Sequence, residues 1–204
     1  MEKEILMPES SGYLDRIDAI ENLSGQIENP NVKNAVLKCF KDSSYLVRCE
    51  AYDAFYGTAF QDVFDALVKR VKAENSKCAK MHALSALCGM TKQILPSDSQ
   101  MQTVQKSCEN EKNAGVRVAY FCFLYAVKKD EKYVDLVLKE LNHRDYHVRC
   151  CVVNLLADVL DYSNKEKIMG AYKARLQVED ALAVKTLLER EIVRLSKGRV
   201  ENEF

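Results

Sequence analysis

The side chains best suited to metal chemistry along this sequence are His143 and His147, four positions apart, with Cys150 and Cys151 close behind. Imidazole and thiolate are donors that zinc takes, provided that they converge on one face. His143 and Asp145 fall where the helical pattern breaks for a turn, so an ordinary capped turn is expected there instead of a metal site. The triplet His143-Arg144-Asp145 matches the kinase catalytic-loop string, yet no glycine-rich loop, strand lysine or Asp-Phe-Gly accompanies it. Gly-x-Ser-x-Gly, His-Glu-x-x-His and phosphate-loop motifs do not occur. The eight cysteines (Cys39, Cys49, Cys78, Cys88, Cys108, Cys122, Cys150 and Cys151) sit mostly inside helical apolar patterns with no Cys-x-x-Cys pair. They read as reduced packing residues. Neither catalysis, nor a metal, nor a cofactor is expected.

Thirty basic side chains balance thirty acidic ones, so no global charge draws the chain toward nucleic acid or an anionic membrane. Hydrophobic residues make up 48% of the 204 positions, which suffices for a continuous core and is too many for a disordered chain. No run of about 18 apolar residues offers a membrane span. The opening MEKEILMPESSG lacks the apolar stretch of a signal peptide. A cytoplasmic monomer is the expectation.

What positions these residues is a period. Arg16, Arg48, Lys80, Arg117, Arg149 and Lys185 follow one another at intervals of 32, 32, 37, 32 and 36 residues. Seven positions after them come Leu23, Phe55, Leu87, Leu124, Leu156 and Ile192, all apolar. Three positions after four of them come Ala19, Ala51, Ala83 and Val152. Offsets of three and seven share a helix face, and a period of this length marks stacked helical repeats that bury their apolar faces against neighbours. A first helix is predicted ahead of each of the later five, over residues 31–41, 61–73, 97–110, 131–141 and 165–176. A lone cap helix is predicted over residues 11–24. The weakest stripe is that of Met101, Val104 and Cys108, and the lengthened connections KQILPSDSQ and ENEKNAG around it account for the 37-residue interval. The expected fold is all-α: an α-solenoid of about five helical hairpins with an N-terminal cap, one domain over 11–196. Residues 1–10 are expected to be flexible and 197–204 to form a frayed tail.

The segments KDSSYLVRCEAYDAF and HRDYHVRCCVVNLLADV resemble HEAT repeats of the bacterial HEAT-like variety. In that family an aspartate in the inter-helix turn precedes Val-Arg on the second helix, with small residues one turn later. The matching residues are Asp42, Val47, Arg48, Ala51 and Ala54 in one copy, and Asp145, Val148, Arg149, Val152 and Leu155 in the other. NEKNAGVRVAYFCFL keeps Val116 and Arg117 with Asn113 at the acidic position, and SKCAKMHALSAL keeps Ala83 and Ala86 with Lys80 for arginine. The pattern also has its own physics. A carboxylate ahead of the second helix caps its free N–H groups. The arginine fork reaches the turn of a neighbouring repeat and pairs with a carboxylate there. Asp42, Arg48, Arg117, Asp145 and Arg149 are therefore assigned to a structural ladder. HEAT-like deoxyhypusine hydroxylases carry His-Glu pairs on successive repeats, and this chain has none. HEAT-like DNA glycosylases imply a basic groove, which the second helices do not form.

Polar positions on the second helices single out a surface. The first two carry Asp18, Glu21, Glu50 and Asp53, interleaved with Tyr52 and Tyr56, and His82 and Tyr120 extend the set on the next two. Similar offsets in successive helices gather the acids into one patch, on the side that is concave in stacks of this kind. Tyrosine favours binding hot spots, and carboxylates steer a basic partner. The expectation is a non-catalytic module that occludes one protein partner, of which a basic toxin or nuclease is the type, as an immunity protein or inhibitor does. The alternatives are a HEAT-like enzyme, such as a DNA glycosylase or bilin lyase, and a general assembly adaptor.

Overall fold

A computed structural model describes residues 12–161 and 163–197. The expected flexible N-terminus, the first residue of the predicted cap helix and all but Lys197 of the predicted tail lie outside the described residues. Every regular element among the described residues is helical. The chain falls into two compact units, Met1–Asn110 and Glu111–Phe204. The division lies within ENEKNAG, one of the two lengthened connections.

The first unit contains α1 (Tyr13–Ser24), α2 (Pro30–Lys38), α3 (Tyr45–Asp53), α4 (Gln61–Ala73), α5 (Lys77–Met90) and α6 (Asp98–Cys108). The helices α1, α3 and α5 pack side by side, and α4 packs on both α5 and α6. Ile20, Val47, Phe55, Phe64, Leu67, Leu84 and Leu87 are fully buried between them. Phe40 stands edge-on to both Tyr52 and Phe55, at 4.7 and 5.6 Å between ring centres. Local chemistry sets the helix starts. Asn29 accepts from the Asn31 amide with Pro30 in the first helical position, and Ser97 and Gln100 cap each other's amides.

The second unit contains α7 (Ala114–Lys128), α8 (Lys132–Lys139), α9 (Tyr146–Val159), α10 (Lys165–Leu176) and α11 (Leu182–Ser196). Here α7 packs on α8 and α9, α9 on α11, and α10 on α11. Both α2 and α8 stop short of their predicted ends because the last three residues tighten into 3-10 turns, Cys39–Lys41 and Glu140–Asn142.

Arg16, Arg48, Lys80, Arg117, Arg149 and Lys185 each occupy the fourth position of their helix. Helical side chains lean toward the N-terminus, so a long side chain one turn in overhangs the loop before it. Accordingly, Nη1 of Arg48, Arg117 and Arg149 donates to the carbonyls of Asp42, Lys112 and His143, at 2.7, 2.7 and 2.8 Å. The rest of each fork crosses to a carboxylate 23 to 30 residues on. Arg16 pairs with Asp42 at 2.8 and 2.9 Å, and Arg48 with Glu74 at 2.9 and 2.6 Å. Arg117 reaches Glu140 at 2.6 Å, and Arg149 reaches Glu179 at 2.8 and 2.5 Å. Lys80 holds the same place with an ammonium in place of a fork, and donates to the Ser107 carbonyl at 2.7 Å.

One assignment in the ladder changes, that of Asp145. The acceptor for Arg149 is Glu179, whereas Asp145 accepts from the His147 amide and caps α9. Asp42 keeps its place, as the carboxylate that meets Arg16, and the carboxylate that meets Arg48 is Glu74. Each buried glutamate is held from a second side by an arginine one turn earlier, Arg70 on Glu74 and Arg175 on Glu179, both at 2.9 Å. The sequence signal for this was Arg-x-x-x-Glu at the end of α4 and α10, in RVKAE and RLQVE.

Burial alone would push both carboxyls up. For Glu74 the hydrogen bonds from Arg48, the Ser76 amide, Arg70 and Tyr52 outweigh it and bring the pKa down to about 2. Arg149, Arg175 and the Ala181 amide hold Glu179 well below the usual carboxylate range. A depressed folded-state pKa means stability that is present above the unfolded value, about 4.3, and lost as the pH falls through the folded one. Helical circular dichroism in fixed urea should therefore fall steeply as the pH drops from about 4.5 toward 2. Glu74→Gln should flatten part of that slope. A stability that stays level down to pH 3 would contradict this account.

Candidate functional site

The carboxylates of the first unit divide into two groups. Asp42 and Glu74 are spent on arginines. Asp18 and Glu21 on α1 and Glu50 on α3 form no ion pair among the described residues. Asp18 and Glu21 are exposed and three apart, on one face of α1, while Glu50 is half-buried. Burial raises the Glu50 carboxyl, the negative charges of Asp53 and Glu21 raise it further, and His82 on α5 opposes them. Glu21, Glu50, Asp53 and His82 thus share one electrostatic field across three adjacent helices.

Within this face, His82 Nδ1 lies 2.7 Å from Asp53 Oδ2. Burial works against a charged imidazole there, but the Asp53 hydrogen bond and the charges of Asp53 and Glu50 outweigh it and raise His82 above its ordinary value. One turn back along each helix are two thiols, Cys49 on α3 and Cys78 on α5, with their sulfurs 3.9 Å apart. The ligand atoms of Cys49, Cys78 and His82 all lie within 4.8 Å of one another. Burial first, then the neighbouring Cys78, pushes the Cys49 thiol well up, so it is no nucleophile at neutral pH. Cys78, in contrast, is exposed, which a packing role does not explain.

The sequence signal for this group was faint. Cys49 faces Cys78 and Asp53 faces His82, both at a separation of 29 residues. The repeat interval at this point is 32. Facing residues are therefore offset from equivalent ones by about one helical turn, a register that packing sets and periodicity does not contain.

The tyrosines sort differently from the expectation. Tyr52 is fully buried, and its hydroxyl donates to Glu74 at 2.9 Å while accepting from Arg70 at 3.0 Å. It is a member of the Arg48–Glu74 network and not of a surface. Tyr120 is buried in the second unit, on a helix that is apolar on nearly every side. Tyr56 is exposed and lies flat on α5 at Gly89, where even a β-carbon would stand 2.6 Å from the ring.

Elsewhere in the unit, Asn31, Asn34, Lys38, Lys41, Lys69 and Arg70 line a groove between α2 and α4 that is basic where the α1–α3–α5 layer is acidic. Lys33, nearby on α2, pairs with Asp62 at 2.8 Å. His143 and His147 lie in a capped turn: the Asp145 amide donates to His143 Nδ1, and the Asp145 carboxylate accepts from the His147 amide. Among the described residues no helix is long and apolar enough to cross a membrane. No family model and no curated protein matches the chain.

Proposed function

We propose that the chain is a HEAT-like α-solenoid of about five hairpins with an N-terminal cap helix. Its work is protein binding without catalysis: the acidic face of α1, α3 and α5 occludes a single basic protein partner, as an immunity protein or inhibitor of a toxin or nuclease does. The repeat reading is supported by the basic residue at the fourth position of all six second helices and by the rungs that five of them make.

One observation carries the binding reading. Among the described residues the buried carboxylates are matched by arginine, yet Asp18, Glu21 and Glu50 form no ion pair, and Glu50 bears the repulsion of Asp53 and Glu21 with only His82 opposing it. Uncompensated charge on one face steers an oppositely charged partner and is relieved when that partner docks. Aromatic area is at hand in Tyr56 for the desolvated part of such a contact. A cytoplasmic monomer with one partner fits this surface.

The test is capture. Immobilised full-length protein, exposed at low ionic strength to an extract of its native host, should retain one dominant basic protein. Raising the salt to about 0.5 M should release it, because screening shortens the reach of exposed charges to a few ångströms. Retention of acidic proteins, or retention indifferent to salt, would remove the support for this function.

A further inference from the structure

We propose that Cys49, Cys78 and His82 form a binding site for a thiophilic divalent cation of the zinc class, set into the α3–α5 face with one coordination position open. This goes beyond the binding reading above and stands or falls separately from it.

The donor set is the first argument. Two thiolates and an imidazole are soft to borderline ligands, which select zinc over magnesium or calcium. Geometry is the second. Zinc–sulfur bonds of about 2.3 Å at a tetrahedral angle place the two sulfurs about 3.8 Å apart. The sulfurs of Cys49 and Cys78 are 3.9 Å apart, on different helices, without being bonded to each other. The His82 ligand atom lies within 4.8 Å of both, so a side-chain rotation of about an ångström closes the triangle.

The support around the ligands is the third. Cys49 and Asp53 are one turn apart on α3, and Cys78 and His82 are one turn apart on α5, so the two helices present matched pairs to each other. Asp53 contacts the imidazole at 2.7 Å. A carboxylate on a ligating histidine fixes the ring and raises its basicity. Exposed Cys78 and half-buried His82 leave the site reachable from solvent. Three protein ligands leave a tetrahedral ion one further position, which water or a side chain of a docked protein takes. Coordination releases the two thiol protons, and the second ring proton of His82 where the imidazole is charged, to solvent, with no change of oxidation state at sulfur or metal.

The test uses the reduced, full-length protein, stripped with a chelator and titrated with zinc ion against a chromogenic competitor. One equivalent should bind with sub-micromolar affinity. Cobalt(II) should give thiolate-to-metal charge-transfer absorption and the intense visible bands of a tetrahedral site. Cys78→Ser, at an exposed position that leaves folding intact, should cut the thiolate-to-metal charge-transfer absorption of the cobalt form by at least about half, since only Cys49 then supplies a thiolate. It should also weaken zinc binding by at least about a hundredfold, since loss of a ligand exceeds the tenfold to hundredfold cost of losing a ligand's support. Asp53→Ala should fall within that smaller range, and Cys151→Ser should change nothing. Stoichiometric zinc retained equally by Cys78→Ser and His82→Ala would overturn the site. So would no zinc uptake by reduced protein that forms a Cys49–Cys78 disulfide in air.

Discussion

Arg149→Ala should destabilise the protein by about 3 kcal/mol, with the melting temperature falling by roughly 6–12 °C. The rung it breaks is almost dry: the side chains of Arg149 and Glu179 are 5% and 0% exposed. Removing one member of a buried pair costs about 3–5 kcal/mol, because the other charge stays behind unsatisfied. Arg175 and the amides of Asp180 and Ala181 remain on Glu179, which places the loss at the lower end of that range. Arg117→Ala provides the comparison. Its rung to Glu140 is a single bond with side chains 31% and 17% exposed, so about 1 kcal/mol is expected. Arg149→Lys should recover only part of the loss, since an ammonium cannot serve Glu179 as a fork and the loop carbonyls as well. Equal effects at Arg117 and Arg149, or no effect at Arg149, would show that these arginines do not hold the repeats together.

Reversing Asp18 and Glu21 together, as Asp18→Lys with Glu21→Lys, should weaken binding of the captured basic partner by about ten- to a hundredfold at low salt. Like charges brought face to face at an interface cost several kcal/mol when unscreened, and most of the loss should appear in the association rate. The difference from the unaltered protein should shrink as salt is raised. Stability should move by no more than about 0.5 kcal/mol, because both positions are exposed and form neither caps nor rungs. Glu28→Lys with Glu109→Lys applies the same change of charge at exposed positions off the three helices and should do little. These positions are better probes than Asp53, which also holds His82. They are better than Lys33 as an outward control, since Lys33 is already tied to Asp62. If the control pair proves as damaging as the α1 pair, binding follows net charge and the acidic face is only solvated.

The sequence by itself determined where the helices lie and which side chains bridge them. Apolar spacing places the helices, and side-chain caps fix the starts of α2, α5, α6, α7 and α9, because both act within a few turns of chain. The bounds of α4 and α10, Gln61–Ala73 and Lys165–Leu176, are those that the apolar stripe predicts. The arginines of the rungs were legible for the same reason, since position four of a helix is a local property. Of their acceptors only Asp42 was. A fork that leans back over its loop can meet either the aspartate of that loop or a glutamate at the end of the following first helix. Packing chose Glu74 and Glu179. Tyr52 shows how the same choice erased a surface residue: its place among the acids of α3 suggested exposure, yet its hydroxyl completes the Glu74 cluster inside. Only the tertiary structure brought Cys49, Cys78, Asp53 and His82 together, because the slide of α3 against α5 by about one turn is written in how their side chains interlock. Periodicity reports which residues are equivalent, and packing decides which ones touch.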